Sequence, residues 1–226
     1  MRLALVLLAL TSVAACTRPL TPAEMALVAP LHGPTLDTAA ARITRAPGVG
    51  LFPITFDARP RTTCRERIVP PMTGRITAPT AGIVLFNRLF VSTPAHLPDY
   101  AAPFGPDQRL DLPAAMFLVH ELTHVWQWQN RDLTGYHPAR AFGEQVAMDD
   151  PYLFDANTSA PFLSHGYEVQ ASLVEEYLCC ASLDPNGART DRLKQLLREV
   201  MPVAEPEAFA RPVWVPHEDD LPNICN

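Results

Sequence analysis

The chain has 226 residues, 48% of them hydrophobic and 19% charged, which is enough for one core and too apolar for a disordered protein. Eighteen basic against 24 acidic residues leave a net charge of −6, and no cluster of lysine or arginine offers a platform for nucleic acid. The 24 prolines outnumber the 10 glycines, so the connections between regular elements are expected to be long, stiff and irregular.

At the N-terminus Arg2 precedes an apolar run over residues 3–10, and small residues follow to Val13-Ala14-Ala15-Cys16. A positive start, a short apolar stretch and a small-residue ending describe a secretory signal over residues 1–15. The apolar run is too short to span a bilayer, which takes about 20 residues. The ending resembles a bacterial lipobox, which implies cleavage before Cys16 and acyl chains on that cysteine, enough together for stable anchoring. An ordinary signal peptide with an incidental cysteine is the alternative. Thr17, where inner-membrane lipoproteins of Gram-negative bacteria carry aspartate, then favours the outer membrane. Residues 16–48 read as the lipidated cysteine with a tether and an irregular or weakly helical lead-in, and residues 49–226 as the folded domain.

Within that domain residues 82–92 are dense in β-branched and large apolar side chains and predict a strand. Pro113 opens a helix expected to run to Gln129, burying Ala115, Leu118, Leu122 and Val125 on one face. An irregular insert covers 131–165, a second helix 167–181, and a third, with Leu193, Leu196, Leu197 and Val200 at helical spacing, 190–201. The proline-rich tail from Pro202 is expected to wrap the surface. Few strands and three or four helices predict a small α+β domain. Apart from Cys16, four cysteines remain, an even number suited to an oxidising compartment. Cys179 and Cys180 are neighbours on a helix and point about 100° apart. Each is therefore expected to pair with one of Cys64 and Cys225. A cysteine-based zinc site would want a CxxC pair, and there is none.

The chemistry concentrates in His120-Glu121-Leu122-Thr123-His124, an HExxH pattern inside the first predicted helix. Positions i and i+4 lie one above the other on a helix, so both imidazoles can reach one ion. Glu121 sits about 100° round the helix, where it can act as general base on a water without ligating. A third protein ligand is needed, since catalytic zinc usually has three and an open position. Glu144 lies at the separation that thermolysin-like gluzincins use, whereas Glu168 opens a helix that would hold it more firmly.

The segment HELTHVWQ at 120–127, Tyr152-Leu153-Phe154, and the Glu168 helix running to Glu176-Tyr177 together resemble a group of zincin-like bacterial proteins. That group carries HE(L/M)THVWQ, a later tyrosine-rich stretch and an EQQA-like glutamate helix. The resemblance covers residues 81–180. It implies a zincin-like metallopeptidase domain with Zn2+ and Glu168 as the third ligand. Val169 replaces the first glutamine of the pattern, and Cys179-Cys180 follow its tyrosine, which marks a divergent member.

Among neighbouring residues, His165 and Tyr167 flank Glu168 and are read as structural before catalytic. Glu175 is either an outer partner of the metal ligands or a solvated charge. Trp126 and Trp128 are expected to pack, and His96, His137 and His217 to be exposed. Residues 82–92 are either a core strand or a sheet edge that pairs with an extended peptide. The expectation is a zinc metallopeptidase of the envelope, held by lipid on Cys16 and acting on a peptide or cell-envelope substrate. The alternatives are a non-catalytic envelope protein with a structural or vestigial zinc, and a peptidoglycan amidase or hydrolase.

Overall fold

Residues 17–226 are described in the computed structural model, and the expected signal segment and Cys16 lie outside them. The first described residues already belong to a sheet. β1 (Thr17–Arg18) pairs antiparallel with β2 (Arg42–Arg45), and between them runs α1 (Pro22–His32). Thr21 and Glu24 close a capping box at the start of α1, and Leu27, Val28 and Leu31 are buried against the core. Glu24 is fully buried and accepts from both terminal nitrogens of Arg18, at 2.7 Å each, and from Tyr100 N at 3.0 Å. Residues 17–45, read from sequence as tether and lead-in, are thus part of the domain. Their alanine and proline content hid an apolar face that only the sheet and the helices behind it complete.

β3 (Ile54–Asp57) and β4 (Arg75–Ala78) form an antiparallel ribbon, with α2 (Cys64–Arg67) in the connection between them. The segment expected as one strand over 82–92 is a hairpin, β5 (Gly82–Leu85) and β6 (Arg88–Val91). Phe86 takes φ +60° at its turn, a conformation that reverses the chain and that few non-glycine residues adopt. β6 adds in parallel to β2, giving the order β1-β2-β6-β5 with β5 at the edge. β7 (Pro103–Phe104), β8 (Arg109–Asp111) and β9 (Val213–Trp214) make a third small sheet.

Asp111 caps α3 (Leu112–Gln129) by accepting from Ala114 N, and Pro113 occupies the first turn, as the sequence predicts. α3 is buried almost all round from Leu112 to Gln127, not on one face alone, because the sheet covers one side and another helix the other. The predicted insert is partly ordered, as α4 (Arg131–Thr134) and α5 (Pro138–Ala147). The helix covering α3 is α6 (Tyr167–Leu183), and α7 (Ala188–Leu197) follows it. The tail is not a surface wrap: Val203, Phe209, Val215 and Ile224 are buried, and β9 lies in the third sheet. Seven α-helices and three small sheets among the described residues make the chain α+β. No helix of the described residues is long and apolar enough to cross a membrane.

The disulfides fall as the helix geometry predicts, Cys64 with Cys179 and Cys180 with Cys225. The two neighbours on α6 reach in different directions, one to α2 and one to the C-terminal residues.

Membership of α1 in the core has a measurable consequence. Leu31→Ala removes a side chain with no exposed surface and is expected to cost about 2–5 kcal/mol in chemical denaturation. A residue in a tether would change nothing.

Candidate metal centre

α3 and α6 pack along their lengths and bring three predicted site residues to one point. Nε2 of His120 and Nε2 of His124 each lie 3.1 Å from the same oxygen, Oε2 of Glu168. The three offer ligand atoms within 4.8 Å of one another, and all three side chains are buried. Glu121 lies beside them on α3, also buried, under the start of β5. A Cβ on Gly82 would stand 2.6 Å from Glu121 Oε1, so any larger residue there would push the Glu121 carboxylate aside.

Glu144 does not join them. Its Oε2 accepts from Tyr167 N at 3.1 Å, so it sits at the N-terminus of α6, where a carboxylate is favoured by the unpaired N–H groups. A Cβ on Gly166 would collide with that carboxylate. The neighbouring Gln145 reaches the centre instead, donating to Glu168 Oε1 at 2.8 Å and to Tyr152 Oη at 3.1 Å.

The outer nitrogens of both imidazoles are held. His120 Nδ1 is 3.0 Å from Glu175 Oε2, and Arg65 on α2 lies 3.3 Å from the same oxygen. Glu175 is therefore an ordered partner of His120 and not a solvated charge. His124 Nδ1 is 2.8 Å from Gln127 Oε1, while Gln127 Nε2 donates to Tyr167 O and to Gln170 Oε1, at 3.0 Å each. Because Gln127 spends its donors elsewhere, its oxygen faces His124, and the facing groups at both Nδ1 atoms are acceptors. Each neutral ring then carries its proton on Nδ1 and turns the Nε2 lone pair toward Glu168. That is the tautomer a metal ligand needs.

The electrostatics follow from this packing. Burial alone would lower the His120 pKa, but hydrogen bonds to Glu168 and Glu175 outweigh it and push it up to about 10. For His124 burial also opposes, and the Glu168 charge and hydrogen bond raise it. Burial works to raise Glu168, and the two histidines overcome it and hold it well below the usual carboxylate range. Glu175 is likewise lowered against burial, by Arg65 and then His120. Glu121 is raised, with burial outweighing the two histidines, whose charges pull the other way.

Two tyrosines that the sequence did not single out as chemical groups stand against the imidazoles. The Tyr152 ring is 5.7 Å from that of His120, and the Tyr136 ring is stacked 6.1 Å from that of His124. Both hydroxyls are pushed above the usual tyrosine range, by burial first and by the Glu168 and Glu121 charges next, so they remain donors at neutral pH. His165 and Tyr167, by contrast, are structural. His165 O accepts from Gln170, and Tyr167 Oη donates to Gly135 O. Trp126 is buried, and Trp128 packs edge-on against Phe86 at 4.7 Å. Of the three loop histidines only His137 is exposed, while His96 and His217 are half-buried.

Sulfur atoms of Cys64, Cys180 and Cys225 also converge. All three are in disulfides, and an oxidised sulfur is not the thiolate that metals bind.

No family model matches the chain, and no curated protein sequence matches it. Among solved structures the effector domain of Pseudomonas aeruginosa VgrG2b is similar at 16% identity and a TM-score of 0.47, over 81% of this chain and 83% of that one. The site is therefore read from its own residues.

Two outcomes are expected. Glu175→Gln keeps the shape but weakens the hold on His120, and should reduce zinc affinity about 10- to 100-fold in a competition titration. With its pKa near 10, His120 is protonated at neutral pH in the metal-free protein. Metal must displace that proton, so binding at pH 7 should release protons and tighten as pH rises. Calorimetry in buffers of different ionisation enthalpy measures the release.

Proposed function

We propose that the chain is a lipid-anchored, zinc-dependent peptidase of the cell envelope, with zinc on His120, His124 and Glu168 and Glu121 as general base. The observation that carries this reading is the convergence of two Nε2 atoms on one Glu168 oxygen, 3.1 Å from each, beside a buried glutamate that is not itself engaged with them. Two imidazole nitrogens and one carboxylate oxygen suit zinc and leave a fourth position for water or substrate. The resemblance of residues 81–180 to zincin-like proteins supports the same reading, as does the lipobox-like ending at Cys16 for the envelope.

Zinc, when bound, supplies a Lewis acid that polarises a carbonyl and makes a water more acidic. The remaining steps belong to the chain. Glu121 takes the proton of the attacking water and passes it to the leaving amine, and its raised pKa suits that exchange. Tyr136 and Tyr152 hold hydroxyl donors beside the two imidazoles, where an oxyanion would develop. β5, a sheet edge that begins against Glu121, offers its free main-chain groups to an extended peptide. Only the 82–85 half of the segment is such an edge, since β6 lies inside the sheet between β2 and β5.

One observation favours a second reading. His120, Glu121, His124 and Glu168 are only 5–8% exposed, as suits a structural zinc that turns nothing over. Peptidoglycan stem peptides, whose bonds the same chemistry would cleave, belong in the same substrate panel.

Glu121→Gln should retain one zinc per chain and lose at least about 100-fold in kcat. Equal activity in the variant would overturn the mechanism. Wild type that holds one zinc yet cleaves neither peptides nor stem peptides would establish the structural reading.

A further inference from the structure

The strand that follows Cys16 leaves no room for a spacer. Thr17 already pairs with Thr44 and Arg18 with Ile43, and Arg45 is the next residue of β2 beyond those pairs. A strand advances about 3.4 Å per residue, and acyl chains on Cys16 would hold this end of the sheet within a few ångströms of the bilayer. Whatever else projects from that end meets the same surface.

What projects is the connection over residues 46–53, in which β2 leaves the sheet. Its base is fixed: Ala46 N donates to Val91 O at 2.7 Å, and Val49 N to Ala46 O at 3.0 Å. Gly50, at φ +85°, lies against Thr80 and Ser92, and a Cβ there would stand 2.9 Å from Thr80 O. At the tip Leu51 is 68% and Phe52 86% exposed, and Ile54 follows at 46%. Phe52 is the most exposed large apolar side chain among the described residues. Exposed Arg45, one residue past the Thr44 that pairs with Thr17, matches the anionic headgroups of a bacterial bilayer. An apolar tip next to a basic residue is the composition of an interfacial contact.

We propose that the 46–53 loop inserts Leu51 and Phe52 at the boundary between headgroups and acyl chains of the bilayer that holds Cys16. The inference rests on the lipid anchor of the proposed function. Anchor and loop then form two points of attachment, which seat the domain in one orientation instead of letting it swing. The same end of the sheet carries Gly82 against Glu121, so this orientation turns the centre toward the membrane surface.

The test uses the mature, acylated chain in vesicles of phosphatidylethanolamine and phosphatidylglycerol. Relative to wild type, Phe52→Trp should add a blue-shifted emission that lipids brominated on the acyl chains quench. Phe86→Trp, at the opposite end of the β5–β6 hairpin, should add emission that they do not quench. Mass spectrometry of the N-terminal peptide separates the two ways of failing. A chain without acyl groups on Cys16 overturns the anchor and the loop's role with it. An acylated chain whose Phe52→Trp emission stays unshifted and unquenched overturns the loop alone.

Discussion

Every partner around the two imidazoles is an acceptor. His120 stands between two carboxylates, Glu168 and Glu175, and His124 between Glu168 and the carboxamide oxygen of Gln127. In a dry interface such an arrangement needs positive charge at its centre, since buried carboxylates without a cation cost several kcal/mol each. Without metal the charge comes from protons, which is why the histidine pKa values rise although burial alone would lower them. A divalent cation would fill the same electrostatic need at the point where both Nε2 atoms and Glu168 meet, and would compete with the protons for that place.

The scaffold keeps this charge arrangement from relaxing. The Cys64–Cys179 bridge joins α2 to α6 across 115 residues, next to the main-chain N–H groups of Cys64 and Arg65 that approach Glu176. Arg189 on α7 reaches Glu176 from another side, at 3.0 Å. With α2 fixed, Arg65 is delivered to Glu175, and Glu175 to His120. One covalent link thus orients the His120 ring through two charged side chains. Buried ionic chains of this kind stabilise little in sum, but removing one member leaves the next uncompensated. Their contribution here is orientation of the ring more than stability.

The helices and the three converging residues were legible because their signals are local. HExxH needs only helical periodicity, and a capping aspartate with Pro113 marks where that helix begins. Glu168 was favoured over Glu144 by the resemblance to zincin-like proteins, since spacing and scaffold pointed to different glutamates. The structure separates the two glutamates physically, one at the centre and one at the N-terminus of α6. Arg65, Gln145 and Tyr136 were not legible. Each reaches the centre through contacts between segments far apart in sequence, and no spacing rule encodes them. Gln127 sits three residues after His124 on the same helix face, a spacing that could have identified it. The lead-in was misread because a four-residue strand and an alanine-rich helix carry weak patterns until β6 and α3 supply their other halves.

The surroundings of the centre depend on long-range contacts as well. Arg59 binds Asp150 through two nitrogens, at 2.6 and 2.9 Å, across 91 residues of sequence. Its guanidinium lies 4.8 Å from the Phe56 ring and 5.3 Å from the Tyr152 ring, so the β3–β4 ribbon and the segment around Tyr152 are clasped together beside His120. One side of this clasp is a two-stranded ribbon and the other an irregular segment, and ion pairs and ring contacts join them. The three converging side chains and the clasp beside them accordingly answer to different parts of the chain. Two rigid helices set the first, and side chains on separate connections set the second. Loss of Arg59 would free the segment around Tyr152 while leaving His120, His124 and Glu168 held together by α3 and α6.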